Sequence, residues 1–187
     1  MIVNLAKWAV LVPLVAMTAC SAPPRERFYT LDAPEPPAAA EAPYSIAVGK
    51  VSVPELVDRP QFVVRVGANQ VAIAEQARWA EPLKSAIARV VAANLAKDLG
   101  ARTLAQPGNG DADYRVLIDV QRFESSPGES VLIDAQWTVI GPKGARRTAR
   151  SNLRERVQGR DYDALAAAHS AALATLSREI AAAIRQP

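Results

Sequence analysis

Between Leu83 and Leu99, apolar side chains recur every three or four residues, at Leu83, Ile87, Val90, Val91, Leu95 and Leu99, while Lys84, Ser85, Arg89 and Lys97 fall off that line. This period predicts a helix with one dry stripe. Pro82 suits its first turn, Glu81 its positive end, and Gly100 the left-handed stop after it. A second helix is expected after Asp161, which is a natural cap. Leu165, His169, Leu173, Leu176, Ile180 and Ile184 define its buried stripe, and the many alanines between them favour helix.

Elsewhere the pattern changes to a period of two. Val131, Ile133, Ala135, Trp137 and Val139 alternate with Asp134, Gln136 and Thr138, which predicts a strand with one dry and one wet face. Tyr114 to Phe123 precedes it as a strand and a more polar one follows from Ala145 to Val157, with Ser126-Pro127-Gly128 as a turn. Earlier in the chain, Phe28 to Leu31 reads as a short strand and Tyr44 to Val53 as a longer one stopped by Pro54. Phe62–Val66 and Val71–Ala74 flank Gly67-Ala68-Asn69-Gln70 and predict a hairpin. The expected architecture is a single α+β domain: a mostly antiparallel sheet with two long amphipathic helices packed on one face.

The first 19 residues do not fit that domain. Lys7 precedes an apolar run from Trp8 to Ala16, too short to span a bilayer but suited to a signal peptide. Met17-Thr18-Ala19 then leads to Cys20, the one cysteine of the chain, in the manner of a bacterial lipobox with Met17 in the usual leucine position. We expect residues 1–19 to be removed and Cys20 to carry a diacylglycerol thioether and an N-acyl chain, with no other cofactor and no metal. An ordinary signal peptide would leave an exposed free thiol in an exported protein, a chemical liability. Three acyl chains make release negligible, because each buried methylene contributes about 0.8 kcal/mol. Ser21 is not the aspartate that retains such proteins at the inner membrane, so the periplasmic face of the outer membrane is the expected address. Residues 20–27 are then a lipidated tether, residues 28–187 the domain, and the Pro/Ala-rich stretch 33–43 an exposed loop.

Composition narrows the function. Half of the 187 residues are hydrophobic and 22% are charged, as in an ordinary globular domain. A net charge of +3, nearer +2 once Lys7 leaves, does not support a nucleic-acid partner. No Gly-x-Ser-x-Gly elbow, second histidine or Gly-rich phosphate cradle is present, which argues against an exported hydrolase. His169 lies on a buried stripe and reads as a packed, neutral imidazole. Asn109, Asp111 and Asp113 have the spacing that opens a calcium loop, but Tyr114 and Val120 occupy the positions of its glycine and glutamate. We expect no catalytic residue.

The candidate partner-binding residues are Arg59, Gln61, Trp79, Arg150 and Arg154. Arg59, beside Pro60 and Gln61, either grips a partner's carboxylate or phosphate or makes an internal ion pair that fixes its loop. Trp79 is either an interfacial aromatic or a staple on the first helical turns. Arg146, Arg150, Arg154 and Arg156 share one face of an extended strand. That cationic face either meets anionic headgroups or an acidic partner, or is a solvated, aggregation-resistant strand.

Five segments in order, Val53-Pro54-Glu55-Leu56-Val57-Asp58-Arg59-Pro60-Gln61, Arg78-Trp79-Ala80-Glu81-Pro82-Leu83, Val120-Gln121-Arg122-Phe123, Ala135-Gln136-Trp137 and Leu176-Ser177-Arg178-Glu179-Ile180, resemble the ABC-type transport auxiliary lipoproteins, in their paraquat-inducible protein C (PqiC-like) branch. The resemblance covers nearly all of the chain after Cys20. It implies a non-enzymatic component of an intermembrane lipid transport system, partnered by an MCE-domain protein that spans the periplasm and by transporter subunits, with self-assembly into a ring among the implied properties. A lipoprotein chaperone that binds a client reversibly is the competing non-enzymatic reading.

Overall fold

The computed structural model describes residues 25–33, 35, 42–105 and 112–186. Residues 1–19, Cys20, most of the 33–43 stretch, Asn109 and Asp111 lie outside the described residues. The elements are β1 (Arg27–Tyr29), β2 (Ser45–Ser52), β3 (Gln61–Arg65), β4 (Val71–Trp79), α1 (Leu83–Leu99), β5 (Arg102–Ala105), β6 (Tyr114–Ser126), β7 (Ser130–Ile140), β8 (Arg146–Arg156) and α2 (Tyr162–Arg185).

The fold is α+β, with two mixed sheets. The larger has the order β5-β2-β6-β7-β8 and the smaller β1-β4-β3. The long ladders, β6 with β7 and β7 with β8, are antiparallel, as is the β3–β4 hairpin. β2 runs parallel to both β5 and β6 because the chain returns to it through α1, and a helical crossover is how parallel neighbours are joined. α1 covers β2 and β5, α2 covers β7 and β8, and the two helices touch each other. Both therefore lie on one face of the large sheet.

Both helix termini follow the sequence signals. Gly100 adopts a φ of 61°, the left-handed conformation that closes α1, and the Asp161 carboxylate accepts from Ala164 N at 2.8 Å to cap α2. α1 buries far more than one stripe, including Ala86, Ala88, Ala92 and Ala96, because it is wedged between the sheet and α2. On α2, Leu165, His169, Leu173, Leu176, Ile180 and Ile184 are all buried. A polar relay also ties α2 to the sheet: Trp137 Nε1 donates to Ser151 Oγ at 2.9 Å, and Ser151 donates to Glu179.

An aromatic cluster holds the small sheet against the rest. Phe62 of β3 stacks on Trp79 of β4 at 3.9 Å, Tyr29 of β1 meets Phe62 edge-on at 5.5 Å, and Tyr162 of α2 closes on both. Trp79 also faces Phe123 of β6 and His169 of α2. Such pairs add about 0.5–1.5 kcal/mol each beyond the area they bury. β1 is thus docked, parallel to β4, and Arg89 of α1 locks the chain beyond it by donating to Leu31 O at 2.9 Å while pairing with Glu81 at 2.6 Å.

β5 was not foreseen from the sequence. It has four residues, of which only Thr103 is half-buried, so it carries no alternation to read. Its place follows from where α1 delivers the chain.

Candidate functional site

The loop between β2 and β3 and the end of β4 form one end of the small sheet. Residues 54–60 turn tightly: Val57 N and Asp58 N both donate to Pro54 O, at 3.0 and 3.2 Å. Trp79 N donates to Pro60 O at 2.7 Å and Gln61 pairs with Arg78, so Arg59, Gln61 and Trp79 are brought together. Lys84 at the start of α1 pairs with Asp58 at 2.6 Å and fixes the loop to the helix. Leu56 is exposed at the loop's apex.

Within this end the three candidates differ. Trp79 is only 6% exposed and stacked in the aromatic cluster. Its ring lies in the core and meets rings from β3, β6 and α2, so little of it is left for a partner's surface. Gln61 is half-buried at the start of β3. Arg59 is half-buried too, and the internal ion pair expected for it is not made among the described residues; its Nε is buried without a hydrogen-bond partner. A guanidinium held in this way is charged, directional and unspent.

Arg150 and Arg154 lie elsewhere, on the helix-free face of β8 at the far edge of the large sheet. The exposed face is the one expected: Arg146, Thr148, Arg150, Asn152, Arg154 and Arg156 point outward, while Ser151 and Leu153 are buried. Yet both candidates are engaged within the chain. Arg150 Nε and Nη2 donate to Asp134 Oδ1 and Oδ2 at 2.7 and 2.6 Å, and Arg154 Nη1 donates to Ser130 Oγ at 2.9 Å. The hydrogen bonds from Arg150, aided by its charge, hold the Asp134 carboxyl below the usual range and raise Arg150 in turn. The cationic face is therefore partly neutralised by its own sheet.

Other titratable groups are structural. His169 is fully buried, stacked on Phe123 at 3.9 Å and 2.8 Å from Ser125 Oγ through Nε2, with Nδ1 unpartnered. Burial pushes its pKa down to about 3, so the ring is neutral and sealed from solvent. Asp113 accepts from Ser45 N at 2.7 Å and Ser45 Oγ at 2.9 Å, bonds that lower its pKa and brace the start of β2 against β6. Burial alone would raise Glu124, but Arg65 and Arg122 at 3.0 Å outweigh it and anchor the hairpin to β6. Among the described residues no three His, Cys, Asp or Glu side chains gather as a metal site, and no helix is long and apolar enough to cross a membrane.

Residues 29–181 match the model of the ABC-type transport auxiliary lipoprotein component. The chain belongs to this family. It is a transport-associated lipoprotein, from a family of auxiliary components rather than a known enzyme family. No curated protein matches it. Among solved structures, an uncharacterized protein is 23% identical with a TM-score of 0.74, covering 86% of this chain and 99% of its own. Protein XCC0632 from Xanthomonas campestris, of the DUF330 family, is also 23% identical with a TM-score of 0.62, covering 82% of this chain and 92% of its own. At that identity the two structures speak for the fold alone. Four of the five segments that carried the resemblance lie on the β4–α1 junction, β6, β7 and α2, and the fifth is the loop that holds Arg59 and leads into β3.

Proposed function

We propose that this chain is a non-enzymatic lipoprotein, acylated at Cys20, that captures the end of a transport conduit at the periplasmic face of the outer membrane. The conduit is an MCE-domain protein of an ABC-type intermembrane lipid transport system, and several copies of the lipoprotein form a collar around it. Envelope integrity depends on the lipid flux that the assembly supports. The observation that carries this reading is the family match over residues 29–181.

The mechanism is structural. The acyl chains fix the domain to one membrane, and a rigid end of the small sheet meets the partner. Arg59 is the favoured contact, because its guanidinium has a buried Nε that nothing among the described residues satisfies. A partner carboxylate accepting from it would relieve that orphaned donor and gain a charge-assisted bond. Leu56 beside it offers apolar area.

Affinity capture from detergent-solubilised envelopes with the acylated mature protein tests the reading. Recovery of an MCE-domain protein, with a defined multiple of this chain by native mass spectrometry, is the expected result. A strictly monomeric protein that captures no transport component contradicts it.

A further inference from the structure

We propose that the tip of the β3–β4 hairpin, carrying Val66, Val71 and Ile73 and flanked by Arg25 and Arg27, rests on the phospholipid surface that holds the Cys20 anchor. This rests on the acylation of Cys20 given under Proposed function, and it adds which end of the domain meets the bilayer.

Three branched side chains stand out of the fold at this tip. Val66 is 55% exposed, Val71 39% and Ile73 41%. β4 is exposed here on both faces from Val71 to Ile73, and among the described residues it has no strand on the β1 side before Ala77, where the β1 register begins. An open apolar edge of this kind is a site of unwanted pairing unless something covers it.

The path of the chain says what covers it. β1 runs parallel to β4, with Arg27 beside Ala77 and Tyr29 beside Trp79. The chain before β1 therefore lies toward the start of β4, which is the hairpin tip. Arg25 and Arg27 line one cleft of about 430 Å³ together with Ala74, Glu75 and Gln76, so this course continues back to Arg25. Four residues, hence five steps of the chain, separate Cys20 from Arg25, a reach of at most about 18 Å at 3.3–3.6 Å per residue. From Glu75 to Val71 is about 13 Å of strand at 3.3 Å per residue, and the turn lies just beyond. The leash is long enough to bring the acylated cysteine level with the tip and too short to hold the domain far from the membrane.

Charge agrees with this placement. Arg25 and Arg27 have no ion-pair or hydrogen-bond partner among the described residues, whereas Glu26 is neutralised by Arg78 at 2.8 Å. Glu75 lines the same cleft and offsets one of the two arginines. The rim keeps positive charge at headgroup height, where anionic phospholipid attracts it. Arg65 stiffens the tip from within by donating to Ala68 O at 2.7 Å. β3 joins this tip to the loop that holds Arg59, so the membrane-facing and partner-facing ends lie at opposite ends of one strand.

The test uses acylated mature protein in vesicles of phosphatidylethanolamine and phosphatidylglycerol, with or without bromine on the acyl chains. The native Trp79 and Trp137 are buried at 6% and 5% exposure and serve as the unquenched background. In Ile73→Trp, the introduced indole is expected to lose roughly half its emission to bromolipid, as for a side chain 5–10 Å into the interface. Adding Val71→Asp is expected to abolish that quenching while the protein stays vesicle-bound. An unquenched indole in membrane-bound protein overturns the proposal. So does an indole already buried before vesicles are added, in a protein that is a defined oligomer, because a second copy would then cover the tip. The intact mass of the same preparation reports on the anchor separately: a missing acyl adduct removes the anchor reading, whereas a present adduct with no quenching removes only the hairpin contact.

Discussion

Arg150 on β8 grips both carboxylate oxygens of Asp134 on β7, at 2.7 and 2.6 Å, although Arg150 is largely exposed and Asp134 is only 3% so. The two are diagonal neighbours, since Gln136 sits opposite Arg150 and Asn152 opposite Asp134. A buried carboxylate needs such a partner, because an unpaired charge in that position carries its whole desolvation penalty.

Replacing Arg150 with methionine should therefore lower the thermal midpoint at neutral pH. Asp134 is held below the usual carboxylate range in the folded state, so its contribution is complete above the ordinary pKa of about 4 and is lost as pH falls through the lowered value. The gap between wild type and Arg150→Met should narrow below about pH 4. Melting curves at pH 7 and pH 3 check this, and a gap that is absent at pH 7 contradicts the pairing.

His169 gives a pH dependence of the same sign in a higher window. Its folded pKa of about 3 lies below the unfolded value of 6.5, so stability is full above pH 6.5 and falls as pH drops from there toward 3. The slope approaches about 1.4 kcal/mol per pH unit, because the unfolded chain binds a proton that the folded one refuses. His169→Gln keeps a polar group near Ser125 Oγ and removes the titration. Denaturant midpoints between pH 7 and pH 4.5 should fall more steeply for wild type than for this variant. Parallel slopes would mean that the ring is solvated in the folded state.

Trp79 and Leu56 form a contrasting pair on the same end of the sheet. Trp79→Ala empties the aromatic cluster and should cost about 3–5 kcal/mol of stability. Leu56→Ala, at an exposed apex, should change stability by about 0.5 kcal/mol or less. Equilibrium unfolding in urea measures both. A stable Trp79→Ala variant would return that ring to the surface.

Arg59 should separate binding from folding. Arg59→Ala removes no ion pair made among the described residues, so the melting midpoint should stay close to wild type, while capture of the MCE partner falls by about tenfold or more, as for a desolvated arginine anchor. Titration of the partner onto immobilised protein reads the affinity. Unchanged affinity excludes Arg59 from the contact.

The two helices were legible because both have period-three-to-four stripes and correct stops at Gly100 or starts at Asp161. The wet face of β8 was legible from its alternation between Thr148 and Arg154, although Arg147 on the opposite face is exposed as well. What those outward arginines touch was not. Asp134 reads as one more polar residue on the wet face of β7, and only the register shows that it is buried under Arg150. The long-range setting of Trp79 was hidden for a related reason. Its position before a helix suggests a local staple, and its ring neighbours Phe62, Phe123 and His169, which come from three other elements, leave no local pattern. The division into two sheets was also hidden, because the parallel docking of β1 on β4 joins segments some fifty residues apart and leaves no local pattern.

Photo-crosslinking in intact envelopes tests the central claim most directly, with a photoreactive residue placed in turn at Leu56 and Ile73 of the acylated protein. The account predicts a transporter-component adduct at position 56, in the loop that carries Arg59, and a phospholipid adduct at position 73, on the hairpin tip. Labelling of lipid at neither position, with no transport component trapped at 56, would contradict it.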